Sequence, residues 1–245
     1  QFEGRANFIV YNKIEEFRQS NIGLNQEDDY NLGGAERFQG DKVFLYFEGN
    51  HEDLNYQIKK GVADIVSRKV LYGNDWKEVI KNTALLNIPN WYTDGLTSHL
   101  AAGWTPTDDD NLRDLMLNKK YKNLQVLLEY HPELGGKAIW NYLQETYGAR
   151  NIANILYMTR ISRNVESGFL FVIGFSLEAI LKEIDSYYMA RYQVDDNIRE
   201  MPENELVAIK TKGSREVRGF TSNPDGQKLA YATSDYGKLK VFVFN

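Results

Sequence analysis

The chain has 245 residues, of which 42% are hydrophobic and 26% are charged, so it can build a sizeable core. Its net charge is −5 and its densest basic cluster is only Lys119–Lys122, which argues against nucleic-acid binding because that needs a broad positive surface. Cysteine is absent, which excludes disulfides and thiolate chemistry, and the richest apolar run, Gly168–Phe175, is too short for the ~18 residues of a membrane span.

The first 50 residues have the pattern of a small mixed α/β unit. Residues 7–12 (NFIVYN) are apolar and β-branched, which is typical of a buried strand, and a short helix is predicted over 13–20. A polar, glycine-containing loop follows over 21–34. Two more strands are predicted over 33–38 and 42–48, with a turn between them.

From His51 onward the apolar residues recur every three or four positions, which predicts helices. The first helix is predicted to run to about Gly73, with an apolar face made of Leu54, Ile58, Val62, Ile65, Val66 and Val70. Further helices are predicted over 76–86, 91–103, 111–116 (after the acidic segment 107–110), 124–130, 137–147, 151–161, 165–173 and 177–192. Gly135, Gly148 and Gly174 are predicted to separate helices.

After about Val194 the pattern returns to strands. They are predicted over 205–212, 229–234 and 238–244, with a turn over 223–226. The fold class is therefore predicted to be α+β, with a short mixed N-terminal part, a mainly helical middle and C-terminal strands. We expect two domains, 1–193 and 194–245, and we expect the chain to be a piece of a longer protein because Gln1 runs almost at once into a strand-like segment.

The three histidines are the candidates for metal binding or acid–base chemistry. His51 and Glu52 begin like the HExxH zinc signature, but Asn55 stands where the second histidine belongs, so a role at a helix start is favoured. His99 has apolar neighbours, which favours a core or interface position, and His131 is predicted to lie in a loop. The sequence contains neither a Gly-x-Ser-x-Gly elbow nor a phosphate-binding loop.

Two stretches carry a more specific signal. The first consists of Tyr11, Asn12, Glu16, Phe17, Asn21, Gly33–Gly34, Lys42–Gly49 and the helix Gln57–Val70, and the second of Pro89, Trp91, Asp94, Gly95 and Leu96. Together they resemble the peptidase MA (gluzincin) domain of zinc metallopeptidases. In that family a strand, a short helix with an E-F pair and a glycine-containing strand pair precede the HExxH helix, and a later P-x-W-x-x-E-G-x-A helix supplies the third zinc ligand.

The resemblance implies that every residue of the metal site is replaced. The first histidine falls on Lys60, the catalytic glutamate on Gly61, the second histidine on Asp64 and the glutamate ligand on Asp94. A catalytic zinc needs three protein ligands and an open position, and neither an ammonium group nor a glycine supplies the missing functions. The resemblance thus implies no catalytic residue, no metal and no cofactor, and we expect Lys60 to pair with Asp64 or Asp94 instead.

The C-terminal stretch carries a second resemblance. Phe220, Asn223–Gly226 and Leu229–Tyr231 resemble the start of a TolB-type or WD40-like β-propeller blade, in which a P-D-G turn leads into an L-A-Y strand. Residues 139–169 are similar to the helical remainder of large Gram-negative envelope proteins that join a peptidase-like domain to a propeller.

Taken together, the resemblances imply a non-catalytic pseudo-peptidase domain that binds or scaffolds proteins within a larger cell-envelope protein or complex. They imply an exported protein, periplasmic or associated with the outer membrane, with protein partners and no nucleic acid or membrane span. Peptide binding in the former active-site groove is one form of such binding. Two alternatives stay open: an active metallopeptidase with unrecognised ligands, for example His51, His99 or His131, and a structural linker that positions the propeller.

Overall fold

The computed structural model describes residues 6–19, 37–39, 42–47, 49–73, 85–198, 216–235 and 238–244. The chain divides into two compact units, residues 1–198 and 199–245. The first is mostly helical with a small sheet and the second contains a three-stranded sheet, so the predicted α+β class is confirmed. The predicted helix over 76–86 lies almost entirely outside the described residues, as do the loop over 21–34 and the strand over 205–212.

A three-stranded sheet opens the first unit. Its strands are β1 (Asn7–Tyr11), β2 (Arg37–Gln39) and β3 (Lys42–Tyr46), and α1 (Ile14–Gln19) follows β1. The strand order is β1–β3–β2, with β1 parallel and β2 antiparallel to β3.

β3 is the central strand of this sheet and carries its buried side chains. Val43 and Leu45 pack with Ile65, and Phe44 packs with Phe17 of α1. β1 was predicted to be buried, but Phe8, Ile9 and Val10 are between one third and one half exposed. The reason is that β1 is an edge strand of this sheet, next to the central strand β3.

The remaining helices of the first unit are α2 (His51–Tyr72), α3 (Asn90–Ala102), α4 (Pro106–Leu117), α5 (Leu124–Tyr130), α6 (Pro132–Tyr147), α7 (Arg150–Ser162), α8 (Val165–Ile173) and α9 (Leu177–Ile198). Large aromatic side chains form the centre of their shared core, and those with essentially no exposure are Tyr92, Trp140, Phe169, Tyr188 and Tyr192. The indole Nε1 of Trp140 donates to the carbonyl oxygen of Tyr92 at 3.0 Å, so this core is also joined by a hydrogen bond between α6 and α3. None of the described helices is both long enough and apolar enough to cross a membrane.

The glycines that were predicted to separate helices differ in their roles. Gly148 and Gly174 do end helices, with φ angles of 90° and 87° that favour glycine. Gly135 was predicted wrongly, because α6 begins at Pro132 and runs through Gly135 and Gly136. Proline is well suited to the first helical position, and α6 uses its glycines for close packing instead of a break.

The buried side of α2 also differs from the predicted apolar face. Val62 is 45% exposed and Val66 is 37% exposed. The buried positions include Gln57, Gly61 and Asp64. The buried Gln57 amide is hydrogen-bonded to β3, since its Nε2 donates to the Tyr46 carbonyl oxygen at 3.1 Å and Tyr46 N donates to its Oε1 at 3.3 Å.

The second unit contains an antiparallel sheet of β4 (Glu216–Ser222), β5 (Leu229–Asp235) and β6 (Lys238–Phe244) in that order. The predicted turn over 223–226 joins β4 to β5. In it Gly226 N donates to the Asn223 carbonyl oxygen at 3.0 Å, and Gly226 has a φ angle of 71°. Within residues 216–235 and 238–244 this single sheet is present and no further blade accompanies it.

Candidate functional site

The structure brings three of the four predicted site positions together where α2 packs against α3. Lys60 and Asp64 are one turn apart on α2, Asp94 lies in the first turns of α3, and their charges act on one another. Asp64 is only 6% exposed, and Arg68 Nε donates to its Oδ2 at 2.6 Å. Burial raises the pKa of Asp64, and the Arg68 guanidinium opposes that rise.

Lys60 has a different partner from the one that the sequence suggested. Its Nζ lies 3.1 Å from Oε1 of Glu133, in the first turn of α6, and not on Asp64 or Asp94. It also lies 5.8 Å from the ring centroid of Tyr56, whose hydroxyl donates to Glu133 at 3.4 Å. The expected partner was wrong because Glu133 comes from a helix 73 positions further along the chain, which local spacing does not reveal.

The fourth predicted position, Gly61, contributes to packing. A Cβ added at Gly61 would lie 2.7 Å from Val43 Cγ1 and 3.4 Å from Phe8 Cε1. Gly61 therefore lets α2 approach the sheet, and the surroundings of its Cα are the apolar side chains of β1 and β3.

Asp94 lies at the edge of a cleft. Burial, and then the neighbouring Glu133 carboxylate, raise the pKa of Asp94. Thr93 Oγ1 donates to Asp94 Oδ1 at 3.4 Å, which is a long hydrogen bond. No ion pair to Asp94 is formed by the residues that the structure describes.

The cleft has a volume of about 650 Å³ and lies between α3, α4 and the α5–α6 junction. We call it the acidic cleft, and its lining residues are Asp94, Ser98, Asp108, Asn111, Asp114, Leu115, Tyr130, His131, Pro132, Glu133, Leu134 and Lys137. Its charged groups are four carboxylates and one ammonium group, together with the imidazole of His131.

An ion pair that is mostly buried borders this cleft. Lys137 is 4% exposed, and its Nζ lies 2.7 Å from Oδ2 of Asp108. Asp108 also closes the capping box of α4, since its carboxylate accepts from Thr105 N at 2.8 Å while Asp108 N donates to Thr105 Oγ1 at 3.2 Å. The acidic segment 107–110 was expected to precede the helix, but it forms the first turns of α4 because Thr105 is the cap and Pro106 takes the first position.

The histidines occupy three separate environments. His51 lies at the start of α2 beside the cap Asn50, as predicted. His99 is buried, its Nε2 lies 3.0 Å from Oε1 of Gln144, and burial lowers its pKa. The Nε2 of His131, between α5 and α6, lies 2.8 Å from the hydroxyl of Tyr121. Over the described part of the chain, no three His, Asp or Glu side chains form a group that could hold a metal ion.

Three charged residues that sequence reasoning missed complete this region: Arg68, Glu133 and Lys137. Arg68 could have been found, because a carboxylate and a cation four positions apart share one face of a helix. Glu133 and Lys137 have the same spacing on α6, but the structure pairs them with Lys60 and Asp108 on other helices, and the sequence gave no signal for those partners.

Comparison of the chain with protein-family models, with curated proteins and with solved structures gives no match. The peptidase-like and propeller-like resemblances therefore stay predictions from the sequence.

Proposed function

We propose that the chain is a non-catalytic pseudo-peptidase domain, followed by the first strands of a β-propeller, that binds or scaffolds proteins as part of a larger cell-envelope protein or complex. In this proposal the protein is exported and works in the periplasm or at the outer membrane. Its partners are proteins, and the former substrate groove has become a binding surface.

The observation that supports this proposal best is the position of the protein's own cations. Lys60 lies at a predicted ligand position and is bonded to Glu133, and the carboxylate at the next ligand position, Asp64, is bonded to Arg68. These side chains supply positive charge in the region where a zinc ion would have to bind. A zinc site would need both cations to move and a third ligand to be found.

The packing around the second motif supports a retained scaffold. Trp91 is 8% exposed and packs in the main core, and Gly95 lies against the backbone of Gly136. The motif residues that would build the frame thus have structural roles, while the positions that would carry the chemistry hold lysine, glycine and aspartate.

Zinc content and hydrolysis test the proposal directly. Protein purified without chelators is expected to carry no stoichiometric zinc, and to leave quenched-fluorescent peptide substrates intact whether or not zinc is added. One zinc per chain, with hydrolysis that is lost on chelation, would establish the alternative of an active metallopeptidase with unrecognised ligands and would refute the proposal.

A second experiment separates binding from simple spacing. The full-length protein is crosslinked in cell envelopes, and the recovered partners are compared between wild type and a variant with Asp94→Asn and Glu133→Gln. A binding domain is expected to lose a specific partner when these groups change. Unchanged recovery would favour the structural linker.

A further inference from the structure

We infer that the acidic cleft binds the side chain of an arginine residue in an extended peptide segment. This inference rests on the proposed protein-binding function, and it names the chemistry that the cleft would recognise. It is carried by the volume of the cleft, by its uncompensated charge and by the arrangement of its apolar and aromatic walls.

The volume fits a side chain together with its flanking backbone. At about 650 Å³ the cleft lies within the range of roughly 300–1,000 Å³ that is typical of ligand sites in proteins. Apart from His131, its lining residues lie on four helices, α3 to α6, of a single compact unit, so its walls belong to regular structure.

Among the described residues, three of the four lining carboxylates belong to ion pairs, and one does not. Lys137 is bonded to Asp108 within the cleft. Two of the other carboxylates have partners outside the lining, Glu133 with Lys60 and Asp114 with Lys120. Asp94 is the lining carboxylate that has no ion pair within the described parts of the chain.

A cation bound beside Asp94 would offset the repulsion between the Asp94 and Glu133 carboxylates. The Asp94 side chain reaches solvent, but partial desolvation and the nearby Glu133 carboxylate raise its pKa, and the Lys60 ammonium opposes that rise. A positive group between the two carboxylates would stabilise both of them, and it would form charge-assisted hydrogen bonds.

The geometry indicates an organic cation and not a metal ion. The carboxylates are spread around the cleft, and among the described residues no three acidic or histidine side chains converge as metal ligands would. A guanidinium group has five donors in a planar fork, so it can reach carboxylates that stand apart.

The remaining walls match the rest of an arginine side chain. Leu115, Pro132 and Leu134 line the cleft and offer apolar surface to a hydrocarbon stem. Tyr130 is 66% exposed, and its ring is stacked on that of Tyr121 with a centroid distance of 5.3 Å. A guanidinium packs well on a tyrosine ring that is held in place in this way.

The test uses the full chain and small probes that differ in one property. N-acetyl-arginine N-methylamide is titrated into isotopically labelled protein and followed by NMR, and N-acetyl-citrulline N-methylamide serves as the neutral probe of nearly identical shape. The arginine probe is expected to shift the signals of Tyr130, His131 and Leu134 with saturation, while the citrulline probe leaves them unchanged. The Asp94→Asn variant is expected to bind the arginine probe about tenfold more weakly.

Asp110→Asn is the matched control, because Asp110 is a largely exposed carboxylate on α4 that does not line the cleft. Its affinity for the arginine probe is expected to equal that of wild type, and circular dichroism of both variants checks that they fold. Equal binding of citrulline and arginine, or an Asp94→Asn variant that binds like wild type, would overturn the inference. Equally tight binding of the corresponding lysine probe would overturn the assignment to arginine.

The result of the arginine-binding test can be distinguished from the result of the zinc and hydrolysis test of the proposed function. Zinc-dependent hydrolysis together with arginine binding would refute the non-catalytic proposal and leave the cleft assignment standing. Absence of both would refute the cleft assignment and leave the non-catalytic proposal standing.

Discussion

Gly95 of α3 and Gly136 of α6 meet backbone to backbone, so that a Cβ added to either residue would overlap main-chain atoms of the other helix. The overlap involves the Cα and carbonyl carbon of Gly136 on one side and the carbonyl oxygen of Trp91 on the other. This contact sets how closely α3 approaches α6. Asp94 precedes Gly95 on α3 and Glu133 lies three residues before Gly136 on α6, so the contact also sets the spacing of these two lining carboxylates.

We predict that Gly136→Ala lowers the free energy of unfolding by about 3 kcal/mol or more, because backbone atoms must move to admit the methyl group. Urea unfolding followed by circular dichroism measures this. Gly135→Ala is the matched control in the same helix, since its Cβ would meet only flexible ends of Leu127 and Leu128, at 2.8 and 2.7 Å. Helix propensity favours alanine equally at both positions, so equal losses would contradict the close-contact explanation.

We predict that Lys60 and Glu133 are energetically coupled. The pair is partly exposed, with side-chain exposures of 17% and 47%, so a coupling of about 0.5–1 kcal/mol is expected from a double-mutant cycle with Lys60→Met and Glu133→Gln. A second cycle, with Lys60→Met and Asp94→Asn, is expected to give a smaller coupling because these groups form no ion pair. A larger coupling in the second cycle would restore Asp94 as the partner of Lys60.

We predict that Arg68→Met destabilises the protein in a pH-dependent way. The pKa of Asp64 already lies above its ordinary value of 3.8 in the folded state, and removal of Arg68, which lowers it, raises it further. A folded-state pKa above the unfolded one means that the folded state binds more protons, so stability falls as pH rises through this window. The loss relative to wild type is therefore expected to be about 1–3 kcal/mol at pH 7 and to shrink toward pH 4.

Lys182→Met is the control for this prediction. Lys182 and Glu178 form an ion pair of the same spacing on α9, but both side chains are more than 70% exposed. Chemical unfolding of both variants across the pH range is expected to show a much larger pH-dependent difference for Arg68→Met, because solvent screens the effect of Lys182 on the pKa of Glu178. An Arg68→Met effect that is constant with pH would show that Asp64 is not the group that it stabilises.

We predict that Lys137→Met is among the more damaging single changes in this region. Lys137 and Asp108 have side-chain exposures of 5% and 18%, so removal of the ammonium leaves a mostly buried carboxylate without its partner, at a cost of about 3–5 kcal/mol. In the double variant with Asp108→Asn the total loss is expected to be smaller than the sum of the single losses. Thermal unfolding of the four proteins measures this, and strict additivity would contradict it.

The fold was predictable where a local signal determines it. The bounds of α2 were predicted within a residue, because its apolar residues recur at helical spacing from His51 onward. Its buried side was not, because Gly61 fits against Val43 of β3 while Val62 faces solvent, and only the tertiary structure decides which side meets the sheet. The start of α6 was missed for a related reason, since Gly135 was interpreted as a break.

The candidate site was predictable to a similar extent. Lys60, Asp64 and Asp94 were grouped by the resemblance, and the structure places them together. The partner of Lys60 was missed, because an ion pair between helices depends on how those helices cross. The acidic cleft was missed altogether, since its walls come from three separate segments between Asp94 and Lys137.

The parallel pairing of β1 with β3 has a consequence for the order in which the first unit folds. It joins residues 35 positions apart, such as Asn7 and Lys42, whereas α7 and α8 form a hairpin of neighbouring helices. Closing a long loop has an entropic cost that must be met before the strand contacts stabilise it, so local helical contacts form faster. The helical hairpins are therefore expected to form early and β1 to dock late. The amides of β1 should then exchange with solvent sooner than those of α6, and substitutions in β1 should change the unfolding rate more than the folding rate.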